Sequence, residues 1–256
     1  MRIVIKIGTS TLTHATGHLN IRQVEKICKA ISDIKNAGHE IILVSSGAIG
    51  MGVGKLGLVD RPDDVSTKQA AAAVGQCELM YVYDKLFGEY NHIVAQLLIT
   101  GDDIENSSRH EKFSNTLSRL LELRAIPIIN ENDTVSTEEI VIGDNDTLGA
   151  IVAKSVNADL LIVISDIDGL YTSDPRLDPD AKLISEVTDL DESKFAAGGS
   201  GTKLGTGGMV TKFQAAKICS EFGCDMIIIN GKKPENIYDA VDGKKVGTRF
   251  KVNKNV

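Results

Sequence analysis

Apolar positions in this chain follow two periods that take turns along its length. From Arg2 to Ile7, Ile3, Ile5 and Ile7 take one face of an extended segment and Val4 and Lys6 the other. Both faces are mostly apolar, as in a parallel strand covered on each side. Ile21, Val24, Ile27, Ile31 and Ile34 then fall on one stripe of a helix spanning 21–36, with Asn20 as its N-cap and Gly38 as its stop. Glu40 to Ser45 is a second buried strand running into Ser46-Gly-Ala-Ile-Gly50. The alternation continues with helices over 67–88, 109–124, 146–157 and 209–222 and strands over 93–99, 126–129, 159–164 and 225–229. Residues 132–143 and 170–205 read as inserted hairpins or loops. Strand and helix in strict turn predict an α/β fold, a three-layer αβα sandwich around a mostly parallel sheet. Two lobes sharing that sheet would meet near residue 158, dividing the chain into 1–158 and 159–256.

Composition narrows the function. The chain has 256 residues and a net charge of −7, from 28 Lys and Arg against 35 Asp and Glu. An acidic balance argues against a nucleic-acid partner, although backbone N–H groups and a few placed lysines can still bind anions locally. No apolar run approaches the length that spans a bilayer, and the apolar start is too short for a signal peptide. No membrane association is expected, and a cytoplasmic location is. Cys28, Cys77, Cys219 and Cys224 contain no Cys-x-x-Cys pair, and the histidines (His14, His18, His39, His92, His110) show no metal spacing. All nine read as structural or surface residues, and no protein metal site is predicted.

In an open parallel sheet ligands bind beyond the carboxyl ends of the strands. Collected there are Lys6 and Gly8-Thr-Ser; Ser45-Ser46-Gly47; Asn130-Glu-Asn-Asp133; and Gly143-Asp144-Asn145-Asp146. Ser165 and Asp166 follow a later strand, and Thr206-Gly207-Gly208-Met209-Val210-Thr211-Lys212 opens the last long helix. Each has a plainer reading. Lys6 could snorkel from a strand end, and Lys212 could be an ordinary exposed lysine. Asp144 to Asp146 could be a capping cluster, and Asn130 and Asp133 turn residues. Capping needs only one of the three acidic and amide residues, however, and a lysine one turn into a glycine-led helix can share an anion with the helix N-terminus. Gly52-Val-Gly54-Lys-Leu-Gly57 matches a dinucleotide fingerprint, but Arg61-Pro-Asp-Asp64 breaks any immediate helix, so the segment reads as a flexible loop. As a Walker loop it fails at Ile49 and Leu56. No Gly-x-Ser-x-Gly elbow surrounds Ser45 or Ser46, and no histidine stands at a strand end to activate them.

Two lysines, glycine-rich N–H donors and an acidic organiser suit the stabilisation of charge on a transferring phosphoryl group. No general base accompanies them. None is needed if the acceptor is already an anion such as a carboxylate, so ATP-dependent phosphorylation of a carboxylate fits where serine hydrolysis and hydride transfer do not.

The segments Lys6-Ile-Gly-Thr-Ser, Val44-Ser-Ser-Gly-Ala-Ile, Asp166-Ile-Asp-Gly-Leu-Tyr-Thr-Ser-Asp-Pro-Arg176 and Thr206-Gly-Gly-Met-Val-Thr-Lys212 together resemble the amino acid kinase family. Ile129-Asn-Glu-Asn-Asp-Thr134 and Gly143-Asp-Asn-Asp146 are similar to its branch that phosphorylates glutamate on the side-chain carboxylate, the first step of proline synthesis. The resemblance covers essentially the whole chain. It implies that Lys6 and Lys212 neutralise the transferring phosphoryl and that Asp146 holds the two lysines. It implies that Ser46, Asp133 and Asn145, with Gly47, Asn130 and Asp144 nearby, bind L-glutamate. It assigns Lys6, Gly8, Ser165, Asp166 and the run Thr206, Gly207, Gly208, Met209, Val210, Thr211 and Lys212 to ATP, whose phosphates Mg2+ would bridge. It further implies a homodimer or homotetramer, feedback by L-proline, and a glutamyl phosphate reductase that consumes the labile product. Many members continue into a small C-terminal PUA domain, which is not expected here because the chain ends at Val256. The alternatives are a family kinase for N-acetylglutamate, aspartate, carbamate or a nucleoside monophosphate, a non-catalytic nucleotide sensor, or a dinucleotide oxidoreductase.

Overall fold

The structure is a computed structural model that describes residues 1–251 except 15, 61, 137–143, 174, 176 and 191–207. The first part of the chain runs β1 (Arg2–Ile7), α1 (Thr9–Leu12), α2 (Ile21–Asn36), β2 (Glu40–Ser45), α3 (Ala48–Leu56), α4 (Val65–Gly88), β3 (Val94–Ile99), α5 (Gly101–Glu105), α6 (Ser107–Glu122) and β4 (Ile126–Glu131). It continues through α7 (Asn145–Ser155), β5 (Leu160–Ser165), β6 (Leu170–Tyr171), β7 (Leu183–Ile184), β8 (Glu186–Val187), α8 (Gly208–Glu221), β9 (Asp225–Asn230), α9 (Asn236–Val241) and β10 (Thr248–Phe250).

Eight strands form one sheet in the order β3-β4-β2-β1-β5-β9-β10-β8, and β6 and β7 form a separate antiparallel pair. Within the sheet β3, β4, β2, β1, β5 and β9 are mutually parallel, whereas β10 runs antiparallel to β9. The expected αβα sandwich with a mostly parallel sheet is therefore what the chain adopts. The short strands β8 and β10 and the helices α1, α3, α5 and α9 are additions, because two to nine residues give little room for a period to show.

The apolar runs of the central strands follow from burial on both faces. Val4, Ile42, Val44, Leu161, Val163 and Ile228 face α6, α7 and α8 through Leu117, Leu148, Val152 and Phe213. Ile3, Ile5, Ile7, Ile41, Leu43, Ile162 and Ile227 face α2, α4 and α9 through Ile27, Ile31, Leu79, Tyr83 and Ile237. Each such side chain contributes about 1.5–3 kcal/mol when fully withdrawn from water. The α2 stripe holds from Val24 to Ile34, but Ile21, at the first helical position, is 60% exposed and stands outside it. Asn20 caps this helix by accepting from the Gln23 amide.

One expectation is overturned. Gly52 to Gly57 is no flexible loop: residues up to Leu56 belong to α3, which ends at Gly57 with φ of +67°. Gly52 and Gly75 let α3 and α4 touch backbone to backbone. A Cβ at Gly52 would lie 1.8 Å from the Ala71 carbonyl oxygen, and one at Gly75 1.8 Å from that of Ala48. These glycines serve helix packing rather than phosphate approach. Cys28, Cys219 and Cys224 are buried free thiols, and burial pushes the Cys28 thiol upward, away from reactivity. Among the described residues no helix is long and apolar enough to cross a membrane.

Candidate active site

The chain order creates the site. From β1 the chain moves to β2 on one side, whereas β5, entered from β4 through α7, lies on the other, so the strand order reverses at β1 and opens a crevice beyond its carboxyl end. The Gly8 amide donates to the Ile164 carbonyl at 3.2 Å and ties the two strand ends together. A Cβ at Gly8 would lie 3.7 Å from the Lys6 Nζ, which places this turn directly beside that ammonium.

Lys6, one residue from the end of β1, does not snorkel to water. Its Nζ lies 2.6 Å from Oδ1 of Asp146, and the Lys212 Nζ donates to Oδ2 of the same carboxylate at 2.9 Å. Asp146 is 1% exposed, Lys6 9% and Lys212 6%. One buried carboxylate thus holds two buried ammoniums, and Thr211 Oγ1 reaches the same Oδ2 at 3.4 Å. Burial by itself would push the Asp146 carboxyl up, but the charges and hydrogen bonds of Lys6 and Lys212 outweigh it and hold the group below the ordinary carboxylate value. Two lysines against one carboxylate leave these three side chains with a formal positive charge, which suits an anion better than a neutral ligand.

Asp144 frees Asp146 for this work. It caps α7, its Oδ1 accepting from the amides of Asp146 at 2.9 Å and Thr147 at 3.0 Å. The residue between them, Asn145, turns the other way. Its Nδ2 donates to Ser46 Oγ at 2.6 Å, with the Ser45 carbonyl at 3.3 Å and Asn130 Oδ1 at 3.4 Å. Gly47 follows Ser46 with φ of +98° at the start of α3, a conformation that favours glycine. The first turn of α7 therefore joins a cationic cluster on one side to an amide and hydroxyl cluster on the other. Asp133 sits in the turn after β4, partly exposed.

On the far side of β1, Ser165 ends β5 and donates to Asp166 Oδ1 at 3.3 Å. Gly208 to Thr211 form the first turn of α8, with Val210 45% exposed. Thr206 and Gly207 lie outside the described residues. Among the described residues no cluster of three or more His, Cys, Asp or Glu side chains could hold a metal ion.

Several polar partners escaped the sequence reading. Gln76 Oε1 accepts from Asn130 Nδ2 at 2.9 Å, and Tyr83 hydrogen-bonds Ser45 Oγ at 2.9 Å, both from the apolar helix α4. Asp168 accepts from Asn230 Nδ2 at 3.0 Å and from the Tyr171 hydroxyl at 3.1 Å, linking the β6 turn to the end of β9. Asp168 and Tyr171 stand inside the Asp166–Arg176 segment without their partners being legible, and Gln76 left only a glutamine in an Ala-rich helical stretch.

A profile of the amino acid kinase family matches residues 1–230. The chain belongs to the amino acid kinase family. Within that family it is 52% identical over 258 aligned residues to a glutamate 5-kinase of Clostridium perfringens, covering 99% of this chain and 96% of that one. It is 53% identical to a glutamate 5-kinase of Caldanaerobacter subterraneus, where all of this chain aligns with 69% of the relative. Among solved structures, the carbamate kinase of Giardia lamblia bound to AMP-PNP superposes with a TM-score of 0.68 at 18% identity, over 98% of both chains. An isopentenyl phosphate kinase of T. acidophilum does so at 0.66 and 19%, over 98% of this chain and 100% of that one. At such identities the structural matches speak for the fold alone, whereas the family membership rests on sequence over nearly the whole chain.

Proposed function

We propose that this amino acid kinase transfers the γ-phosphoryl group of ATP to the side-chain carboxylate of L-glutamate, giving L-glutamyl 5-phosphate and ADP. The observation that carries the reading is the buried Lys6–Asp146–Lys212 arrangement, set one residue from the Asn145–Ser46–Asn130 cluster on the same helix turn. The glutamate 5-kinases to which the chain is similar support the choice of acceptor.

In this reading a glutamate carboxylate oxygen attacks the γ-phosphorus in line, a new O–P bond forms, and the bond to the β-phosphate oxygen breaks as ADP leaves. The attacking carboxylate has no proton to lose, so no base is required. Lys6 and Lys212 neutralise the charge spread over the equatorial oxygens. Asp146 holds both ammoniums at fixed positions before ATP arrives, which removes reorganisation from the barrier. Ser46, Asp133 and Asn145 bind glutamate, with Gly47, Asn130 and Asp144 shaping the pocket. Gly8, Ser165, Asp166 and the run 206–212 receive ATP. Residues 1–158 form the acceptor lobe and 159–256 the nucleotide lobe.

Asp146 is committed to two lysines and Asp144 to the helix cap. With both carboxylates engaged in this way, a Mg2+ ion would enter with the nucleotide and would supply charge neutralisation beside Lys6 and Lys212. The reading also takes in a cytoplasmic homodimer or homotetramer, L-proline as a feedback ligand at the glutamate pocket, and a glutamyl phosphate reductase that consumes the product. Assaying ADP release with ATP, Mg2+ and a panel of carboxylates, with hydroxylamine trapping the acyl phosphate, tests the activity. Glutamate-selective hydroxamate is the expected result. Hydroxamate formed instead from aspartate or N-acetylglutamate would move the acceptor, and no acceptor-dependent turnover would remove the kinase reading.

A further inference from the structure

The hydrogen bonds around Asn145 have a direction that can be read from groups able to act in only one sense. The Glu131 amide is a donor and nothing else, and it points at Asn130 Oδ1 at 3.0 Å. The other end of that carboxamide must then be the NH2, and it faces Gln76, which can only meet it with Oε1, at 2.9 Å. The Ser45 carbonyl and Asn130 Oδ1 are both acceptors, so Asn145 must turn its NH2 toward them. Ser46 Oγ, 2.6 Å from that same NH2, therefore accepts, and its own hydrogen is left to point elsewhere. Asn145 in turn is left with Oδ1 as an acceptor. Gln76 ends the chain: it is 8% exposed, and its Nε2 is a buried donor without a hydrogen-bond partner among the described residues. Such a group is held in place at a cost, on a helix face where an apolar side chain would fit without one.

We propose that Gln76 is a positioning residue for the acceptor pocket. By accepting from the Asn130 NH2 it holds in place, from the side opposite the Glu131 amide, the carboxamide on which the Gln76–Asn130–Asn145–Ser46 chain depends, the chain in which Ser46 offers a hydroxyl hydrogen and Asn145 a carboxamide oxygen to the acceptor. That pairing suits an α-amino acid, whose carboxylate takes the hydrogen and whose ammonium donates to the oxygen. The inference rests on the reading that glutamate is the acceptor bound here. Gln76 itself touches no substrate. Its effect passes through Asn130, whose NH2 loses the Gln76 acceptor when Gln76 is apolar.

The test is steady-state kinetics of wild type, Gln76→Met, Gln76→Glu, Asn130→Ala and the Gln76→Met/Asn130→Ala double variant, with binding of an ATP analogue and thermal melting as folding controls. Gln76→Met should raise the glutamate KM by about tenfold or more while the ATP KM moves less than about twofold. Gln76→Glu keeps an oxygen facing Asn130, and burial favours its protonated form, so its glutamate KM should stay within about threefold of wild type. The double variant should be no worse than Asn130→Ala, since both changes break one chain. Should Gln76→Met fail to fold, Gln76→Glu against wild type still decides: a glutamate KM raised tenfold or more there overturns the proposal, as do an unchanged KM in Gln76→Met, equal rises for both substrates, or additive effects in the double variant. If wild type itself gives no glutamate-dependent turnover, the glutamate reading falls first and takes this one with it. Turnover with glutamate and no effect of Gln76→Met removes this proposal alone.

Discussion

Replacing Asp146 by asparagine tests the two-lysine clamp most directly. The change keeps the volume of a side chain that is 1% exposed and removes the charge facing two ammoniums at 2.6 and 2.9 Å. The lysine side chains are 11% and 8% exposed, so water screens them poorly once the carboxylate is gone. Orphaning one buried partner costs about 3–5 kcal/mol, and this substitution orphans two, which places Asp146→Asn at the upper end, about 4–5 kcal/mol. In a chain of this size about 1 kcal/mol moves Tm by roughly 2–4 °C, so the melting point should fall by about 8–20 °C. Turnover should fall by about 10²–10³-fold, as when a preorganised charge-stabilising group is lost. Nucleotide should raise the Tm of the variant more than that of wild type, because its phosphates supply the missing negative charge. The same carboxylate sets a pH dependence. Its folded pKa lies below the ordinary 3.8, so its contribution is complete above the unfolded value and is lost as pH falls through the folded one. The stability gap between wild type and Asp146→Asn should be flat from about pH 5 to 8 and close below about pH 4. Differential scanning fluorimetry across pH, with and without an ATP analogue, measures both effects. A melting point within 2 °C of wild type, or the same nucleotide shift in both proteins, would refute the clamp.

Other expectations are narrower. Lys212→Met and Lys6→Met should each lower kcat by about 10²–10³-fold with the glutamate KM nearly unchanged, since both ammoniums act on the phosphoryl group; a KM effect without a kcat effect would place them elsewhere. Ser46→Ala should raise the glutamate KM by about tenfold and spare the ATP KM, read from saturation curves in each substrate. Gly75→Ala puts a Cβ 1.8 Å from the Ala48 carbonyl oxygen and forces α3 from α4, so it should cost about 1–3 kcal/mol or more in urea unfolding. An unchanged midpoint there would show that the two helices separate freely.

The chain by itself determined the elements that rest on local periodicity and on caps. The strands that became β1, β2 and β5 announce themselves because burial on both faces makes them continuously apolar, and α2 because its stripe and its Asn20 cap are both local. The site residues were visible as residues for the same reason: strand ends before glycines and a capped helix start are short patterns. What only the tertiary structure decided is who meets whom. Asp146 finds Lys212 across 66 positions and reaches Lys6 through the sheet, and no spacing rule relates residues on a strand and two helices that meet in space alone. Nothing in the helical stretch 67–88 singles out Gln76 or Tyr83 until β4 and β2 bring Asn130 and Ser45 against them. Gly52 to Gly57 read as a loop because Arg61-Pro-Asp-Asp64 breaks any immediate helix, yet α3 closes at Gly57 ahead of that break, and tertiary contact overrides glycine's low helix propensity where Gly52 presses the backbone of α3 onto α4. Propensity acts within a few residues, whereas packing and charge pairing act between segments that chain topology alone brings together.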